Sequence, residues 1–273
     1  MESRASHPIK IQNLKWKFGD RLILKDINLT IKKGYFYSII GPNGSGKTTL
    51  LRNIAKSLEP KPKTVFVDNV DITRLSRRDM AKRLSVVPQN TNIEFEFTVM
   101  DIVLMGRSPY IGRFLAEGRK DLEIAERAMK STNTWHLKDK PITQISGGER
   151  QRVIVARALA QDTDIMLLDE PVSQLDIHHQ IELMETIQGL IKDRKITVIS
   201  VMHDLNLAAQ YSDYIILMNE GKVVCQGMPG DVITEENIRR VYKLDSYIMD
   251  NPVTGKPFIM HVKKSGIDAA VNH

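Results

Sequence analysis

The chain has 273 residues, with 39 Lys and Arg against 33 Asp and Glu, a formal net charge of +6. Its 42% hydrophobic and 26% charged residues exclude a disordered or collagen-like chain and leave length for one large domain or two modest ones. A single cysteine, Cys225, excludes an intramolecular disulfide, and no run of 18 apolar residues is present to span a membrane. The N-terminal MESRASHPIK lacks the apolar centre of a signal peptide. The basic excess is compatible with nucleic acid, an anionic membrane face or a phosphate-bearing ligand, and composition does not choose among them.

In chain order, the first 35 residues (IKIQNLKWKF, then LILKDINLTI) alternate like strands with no helix between them, which predicts antiparallel pairing. Short apolar runs at 35–40, 64–67, 84–87, 165–168, 197–200 and 214–217 predict buried strands of a mostly parallel sheet. Helical patterns at 47–58, 148–161, 177–193 and 205–211 lie between them, so the class is α/β. From residue 92 to about 157 the pattern is mostly helical, with TVMDIVLM and RKDLEIAERAMKS the clearest pieces, and it reads as an insertion into the α/β unit. The expected organisation is an α/β core over 1–92 and 158–249, a helical subdomain over 93–157 and a tail over 250–273.

Residues 41–49 read GPNGSGKTT and fit G-x-x-x-x-G-K-[ST] between an apolar strand and a helical segment. Gly41, Pro42, Asn43, Gly44, Ser45 and Gly46 supply a loop whose backbone N–H groups can converge on phosphates. Lys47 would reach the terminal phosphates, and Thr48, followed by Thr49 at the start of a helix, offers a hydroxyl to Mg²⁺. Residues 165–170 read IMLLDE, an apolar strand ending in two carboxylates. Asp169 suits the Mg²⁺ side of such a site and Glu170 is placed to polarise an attacking water. These two elements predict nucleotide binding and hydrolysis without separating a kinase, a GTPase, a helicase or a transport ATPase.

Residues 145–151 read ISGGERQ at the start of another helical stretch. Ser146, Gly147 and Gly148 would present N–H groups at a helix N-terminus, a second anion site far from the first in sequence. Two copies arranged head to tail would set one against the phosphates held by the other.

This order of motifs resembles the ATP-binding subunit of an ABC transporter over nearly the whole chain. The resemblance implies a P-loop NTPase (RecA-like) core with an N-terminal antiparallel β subdomain and an inserted α-helical subdomain. It makes Gln89 in VVPQN the Q-loop glutamine, a Mg²⁺ and water contact beside Thr48 and Asp169. Ser146–Gly148 becomes the signature loop, Ser173, Gln174, Leu175 and Asp176 the D-loop, and His203 in SVMHDLN the switch histidine. Phe18, 29 residues before Lys47, sits where the family stacks an aromatic ring on adenine, with Trp16 as a rival. The chain departs from the commoner family pattern at Glu149 (usually Gln), in EPVSQLD (usually EPTSALD) and at Phe18 (usually Tyr). The implied cofactors are ATP and Mg²⁺. The implied partners are membrane permease subunits, a second copy forming an ATP-sandwich homodimer and, indirectly, an extracytoplasmic substrate-binding protein. Nucleic acid is not an expected partner, and the expected location is peripheral, on the cytoplasmic face of the cell membrane.

FTVMDIVLMGRSPYIGRF, LDIHHQIELM and DNPVTGKPFIM narrow the resemblance to importers of the iron–siderophore, haem and cobalamin group, with a ferric siderophore as first choice of cargo. The alternatives are haem or cobalamin import, an exporter subunit, or a non-transport ABC ATPase acting on nucleic acid or ribosomes. The adjacent His178 and His179 do not share a helix face and are not expected to bind metal. The twelve methionines and Trp135 read as packing. The charge excess concentrates in residues 60–84, and the run RLSRRDMAKR at 74–83 reads as a solvated helix face, with a lipid- or partner-facing surface as the sharper alternative.

Overall fold

The structure, a computed structural model, describes residues 7–89, 93, 95–112 and 115–261. Asn90, Asn92, Arg113 and Phe114 of the sequence motifs, the first six residues, and the tail beyond 261 lie outside them.

Along the chain, β1 (Ile9–Phe18) and β2 (Arg21–Ile31) pair antiparallel, with Ile9 opposite Ile31 and Phe18 opposite Arg21. β3 (Phe36–Ile40) leads into α1 (Lys47–Ile54). β4 (Val65–Val67), β5 (Val70–Asp71), α2 (Arg77–Ala81) and β6 (Leu84–Val87) follow. Next come α3 (Val99–Leu104), α4 (Arg119–Ser131) and α5 (Gly147–Ala160). The α/β alternation resumes with β7 (Ile165–Asp169), α6 (Ile177–Arg194), β8 (Thr197–Val201), α7 (Leu205–Tyr211), β9 (Tyr214–Asn219) and β10 (Lys222–Gly227). α8 (Pro229–Val232), α9 (Glu235–Tyr242), β11 (Ser246–Asp250) and β12 (Pro257–His261) end the described chain.

The main sheet has the order β10-β9-β3-β8-β7-β6, parallel except for the antiparallel edge strand β10. Its five parallel strands are covered on both faces, which is why they read as continuous apolar runs. Phe36 and Ile40 point into a core shared with α3 to α7, while Tyr37 and Ile39 point into a second core with α1 and the N-terminal sheet. That second sheet has the order β2-β1-β4-β5. The 64–67 run was expected in the parallel sheet. It instead forms β4, antiparallel to β1, with Ile9 opposite Val67. Val65 and Val67 are buried and Phe66 only partly so, the alternation of a strand covered mainly on one side. The helix expected to reach residue 58 stops at Ile54, because Lys56 turns left-handed (φ 55°) and the N–H groups of Ser57 and Leu58 fold back onto the Arg52 carbonyl.

The helical segment is joined through one buried cation. Arg107 (5% exposed in its side chain) donates from Nε to Asp121 Oδ1 in the first turn of α4 (2.9 Å) and from Nη1 to the Ala160 carbonyl at the end of α5 (2.7 Å). Its neighbour Gly106 lies so close to α5 that a Cβ there would sit 2.2 Å from the Arg157 carbonyl oxygen. The Gly-Arg pair therefore lets the chain press against α5 and then ties α4 to it. α5 continues to Ala160, three residues past the edge drawn for the insertion at 157. From residue 246 the chain forms the β11–β12 pair, held to α7 by Asn206, which donates from Nδ2 to the Ile259 carbonyl (3.2 Å) and accepts the Ile259 N–H (2.8 Å).

Arg107→Leu should lower the unfolding free energy by about 3 kcal/mol, since it leaves the Asp121 carboxylate partly buried and unpaired. The guanidinium holds the Asp121 carboxyl below its ordinary range. Its stabilisation is therefore present above the unfolded-state value and lost as pH falls through the lowered folded-state value. Urea titrations across pH should show that acid limb in the parent and a shallower one in Arg107→Leu.

Candidate active site

The site forms at the carboxyl ends of four adjacent parallel strands, β3, β8, β7 and β6, each contributing the residue or loop that follows it. After β3 the chain wraps through residues 41–46 into α1. Gly46 precedes α1 with φ 100°, and a Cβ on it would lie 2.9 Å from Leu24 of β2. A Cβ on Gly41 would lie 2.1 Å from the Met218 carbonyl oxygen of β9. Glycine is required at both positions because strands from two sheets close on the loop there. The Gly221 N–H donates to the Ser45 carbonyl (3.0 Å), and the Gly221 carbonyl accepts the Lys25 N–H (2.7 Å), so the loop is pinned between the two sheets.

The loop is built for an anion. α1 has neither a capping side chain nor an acid in its first turn, so its leading N–H groups and positive end are left for a ligand. The Ser45 hydroxyl is buried without a hydrogen-bond partner among the described residues. Lys47, 5% exposed, donates from Nζ to the Gly41 (2.8 Å) and Pro42 (3.1 Å) carbonyls, which hold its ammonium over the loop. Burial pulls its pKa down, and the charges of Glu170 and Asp169 oppose that.

β7 delivers the acids. Asp169, 5% exposed, accepts a hydrogen bond from Thr48 Oγ1 (3.2 Å), so the first turn of α1 and the end of β7 present hydroxyl and carboxylate oxygens side by side. Burial pushes the Asp169 carboxyl up, while the Thr48 hydroxyl opposes the shift. Glu170 adopts φ 54°, in the left-handed region that L side chains rarely occupy, and this turns its carboxylate away from the strand direction. Glu170 Oε2 accepts from Gln89 Nε2 (2.6 Å), and Oε1 pairs with His203 Nε2 (2.5 Å). Gln89 follows β6 and His203 follows β8, the two neighbours of β7, so sheet order brings the three side chains together.

The signature residues stand apart from the phosphate loop, with no hydrogen bond or ion pair joining the two among the described residues. Ser146 caps α5 reciprocally: its N–H donates to Glu149 Oε2 (2.8 Å) and its Oγ accepts the Glu149 N–H (3.2 Å). Glu149 thus serves as a cap where Gln is commoner, and these bonds hold its carboxyl low. Ser146 and Gly147 are exposed, while Gly148 is buried under the His179 ring, 2.6 Å from where a Cβ would lie. His179 Nδ1 in turn hydrogen-bonds Asp176 of the D-loop (2.8 Å). Phe18 is 51% exposed and edge-on to Trp16, which packs against the N-terminal core, leaving Phe18 the ring with a free face. Sequence reading missed Tyr242, a partly buried residue of α9 packed near the phosphate loop, whose phenol is pushed up by burial while the Gly41 backbone opposes the shift. No local pattern could have joined residues so distant in sequence.

Gly41→Ala and Gly46→Ala should each weaken nucleotide binding by at least roughly tenfold, the cost of the displaced loop and a strained φ. Fluorescent-nucleotide titration measures it, and a circular dichroism spectrum like the parent's would place the loss in the loop.

The description "ABC transporter" fits residues 24–173. The ferric enterobactin transport ATP-binding protein FepC of Escherichia coli (strain K12) is 37% identical over 259 residues, 95% of this chain and 96% of that protein. The petrobactin import ATP-binding protein FpuD of Bacillus anthracis is 35% identical, with 97% of each chain covered. Among solved structures, a metal-chelate type ABC transporter in an inward-facing conformation superposes with a TM-score of 0.83 at 26% identity, covering 96% of this chain and 99% of that one. A family match over more than half of the chain and such relatives along nearly its whole length lead to one conclusion: the chain belongs to the ABC transporter family.

Proposed function

We propose that the chain is the ATP-hydrolysing subunit of an ABC importer that energises uptake of an iron–siderophore-type chelate through separate permease subunits. The observation that carries the hydrolytic part is the Gln89–Glu170–His203 cluster beside Lys47, Thr48 and Asp169. The cargo rests on the siderophore relatives and on the post-glutamine segment, since this subunit is not expected to touch the cargo. The working form is a homodimer, peripheral to the membrane on its cytoplasmic face. No helix among the described residues is long and apolar enough to cross a bilayer, so the permease supplies the path.

In this reading the N–H groups of residues 41–49, the Ser45 hydroxyl and Lys47 hold the β- and γ-phosphates, and Phe18 stacks on adenine. The oxygens of Thr48, Asp169 and Gln89 are the hard donors that Mg²⁺ takes, and they would hold the ion that neutralises charge on the phosphates. Glu170 orients and deprotonates the attacking water, with His203 fixing its carboxylate and contacting the γ-phosphate. Ser146 and the Gly147 and Gly148 N–H groups of the second copy complete the phosphate shell, so ATP closes the dimer and phosphate release reopens it. The exposure of Ser146 and Gly147, with no hydrogen bond to the same chain's phosphate loop among the described residues, suits a contact made across copies.

Lys47→Ala should abolish hydrolysis; turnover like the parent's would remove the phosphate-loop assignment. Glu170→Gln should bind ATP yet lose roughly 10²-fold or more in kcat, the scale of a missing general base. With ATP and Mg²⁺ it should run as a dimer on size exclusion, and a monomer at saturating ATP would contradict the composite site. For cargo, cells lacking the gene should lose uptake of radiolabelled ferric siderophore and regain it with the wild type but not with Lys47→Ala. Loss of haem or cobalamin uptake instead would reassign the cargo within the group.

A further inference from the structure

α7 is a seven-residue helix, too short to be stable alone, so its place is set by what grips it. β12 and the turn before it grip both of its ends. At the start of α7, the Asn206 side chain takes both backbone groups of Ile259, its carbonyl (3.2 Å) and its N–H (2.8 Å). At the finish, Lys256 Nζ donates to the Gln210 (2.8 Å) and Ser212 (3.0 Å) carbonyls, where a cation also meets the negative end of the helix. Thr254 Oγ1 adds a hydrogen bond to Gln210 Oε1 (3.0 Å). Burial pulls the Lys256 pKa down, and the charge of Asp213 opposes that. The hairpin has anchors of its own: Ile259, 2% exposed, belongs to the main core, and the Ile248 N–H reaches Glu235 Oε1 of α9 (3.4 Å).

This grip reaches the site through a stretch with no slack. β8 ends at Val201, and the Met202 N–H donates to the Ile39 carbonyl (3.1 Å). Asp204 is already the N-cap of α7, its Oδ1 accepting the Asn206 (2.8 Å) and Leu207 (2.9 Å) N–H groups. His203 is the one residue between those two fixed points, and its Nε2 pairs with Glu170 Oε1. A shift in the first turn of α7 therefore carries the His203 ring with it.

We infer that Asn206, with Lys256 behind it, is a positioning residue for hydrolysis: the β11–β12 hairpin holds α7 where His203 meets Glu170. The inference rests on the hydrolytic role proposed for the Glu170–His203 pair. It gives a part in the reaction to residues 246–261, which lie beyond the segment that the family description fits, 24–173. Asn206 makes no hydrogen bond to residues 41–49 among the described residues, so its effect falls on the water-orienting side of the site and spares the phosphate grip.

Steady-state ATPase assays of the full chain with Mg²⁺ read the split between kcat and KM. Asn206→Ala should lower kcat by about tenfold and leave KM for ATP within about twofold, the pattern of a misplaced catalytic group beside an intact phosphate loop. Asn206→Asp keeps the acceptor for the Ile259 N–H and should recover part of the rate. Lys256→Met should lower kcat by less, because Gln188 also holds that end through the Tyr211 carbonyl (3.2 Å), and Lys256→Arg should restore it. Since the effect passes through His203, Asn206→Ala added to His203→Ala should cost less than about twofold more in single-turnover hydrolysis. In nuclear magnetic resonance spectra of protein with isotope-labelled histidine, the His203 ring signal of Asn206→Ala should move toward its position in Glu170→Gln. An unmoved ring signal with parent-like kcat in Asn206→Ala and Lys256→Met would overturn the inference and leave the hairpin as packing. So would a rise in KM alone, or a loss of the same size in the His203→Ala background. If Asn206→Ala does not fold, Lys256→Met and Lys256→Arg decide by the same readouts. Parent-like turnover in His203→Ala would instead remove the role proposed for that histidine, and the inference with it.

Discussion

A buried ammonium governs the architecture. Lys47 is almost wholly removed from water, and its charge is balanced by loop carbonyls on one side and by Asp169 and Glu170 on the other. Such a group holds its charge only where dipoles and anions are fixed around it. The fixing comes from the sheet. β3 ends in the loop, β7 ends in the acids, and the strand between them, β8, keeps them at a set spacing. Gly41 and Gly46 allow β9 and β2 to close on the loop, so the cradle is packed tightly between the two sheets. Preorganised donors of this kind favour charge developing in a phosphoryl transfer over charge at rest.

The same placement explains why one copy is an incomplete enzyme in the proposed mechanism. The donors of the phosphate loop and the Gln89–Glu170–His203 cluster converge at one edge of the sheet, whereas the signature loop opens α5 and faces solvent with its own capping box satisfied. Glu149 spends its carboxylate on the Ser146 N–H, while Ser146 and Gly147 themselves stay exposed. His179 lies between the signature loop and the D-loop, packing on Gly148 and hydrogen-bonding Asp176, so the two surfaces expected at a dimer contact are mechanically joined.

Arg107 and Arg157 put one residue type in two settings. Arg107 is paired at both ends and locks α4 to α5. Arg157, on α5, is left unpaired among the described residues, one side of a cleft whose other side belongs to the core.

The sequence by itself determined the elements whose chemistry is local. The GPNGSGKTT loop, the IMLLDE strand and the ISGGER cap each depend on residues adjacent in the chain, and their order was enough to point to the family. The parallel strands were legible because burial on both faces leaves an unbroken apolar run. What only the tertiary structure decided is non-local. The 64–67 run joined the antiparallel sheet because β1 was there to pair with it, and no pattern within four residues encodes a partner. The left-handed turn at Glu170 is invisible in side-chain spacing, as is the approach of Tyr242 to the Gly41 backbone. The basic excess looked like one surface feature along residues 60–84. Folding spent Arg78 on carbonyls, Arg83 on a carboxylate and Lys82 on a ring, each brought to it from another part of the chain. Charge counts follow the chain, whereas pairing is set by what the packed core brings within reach.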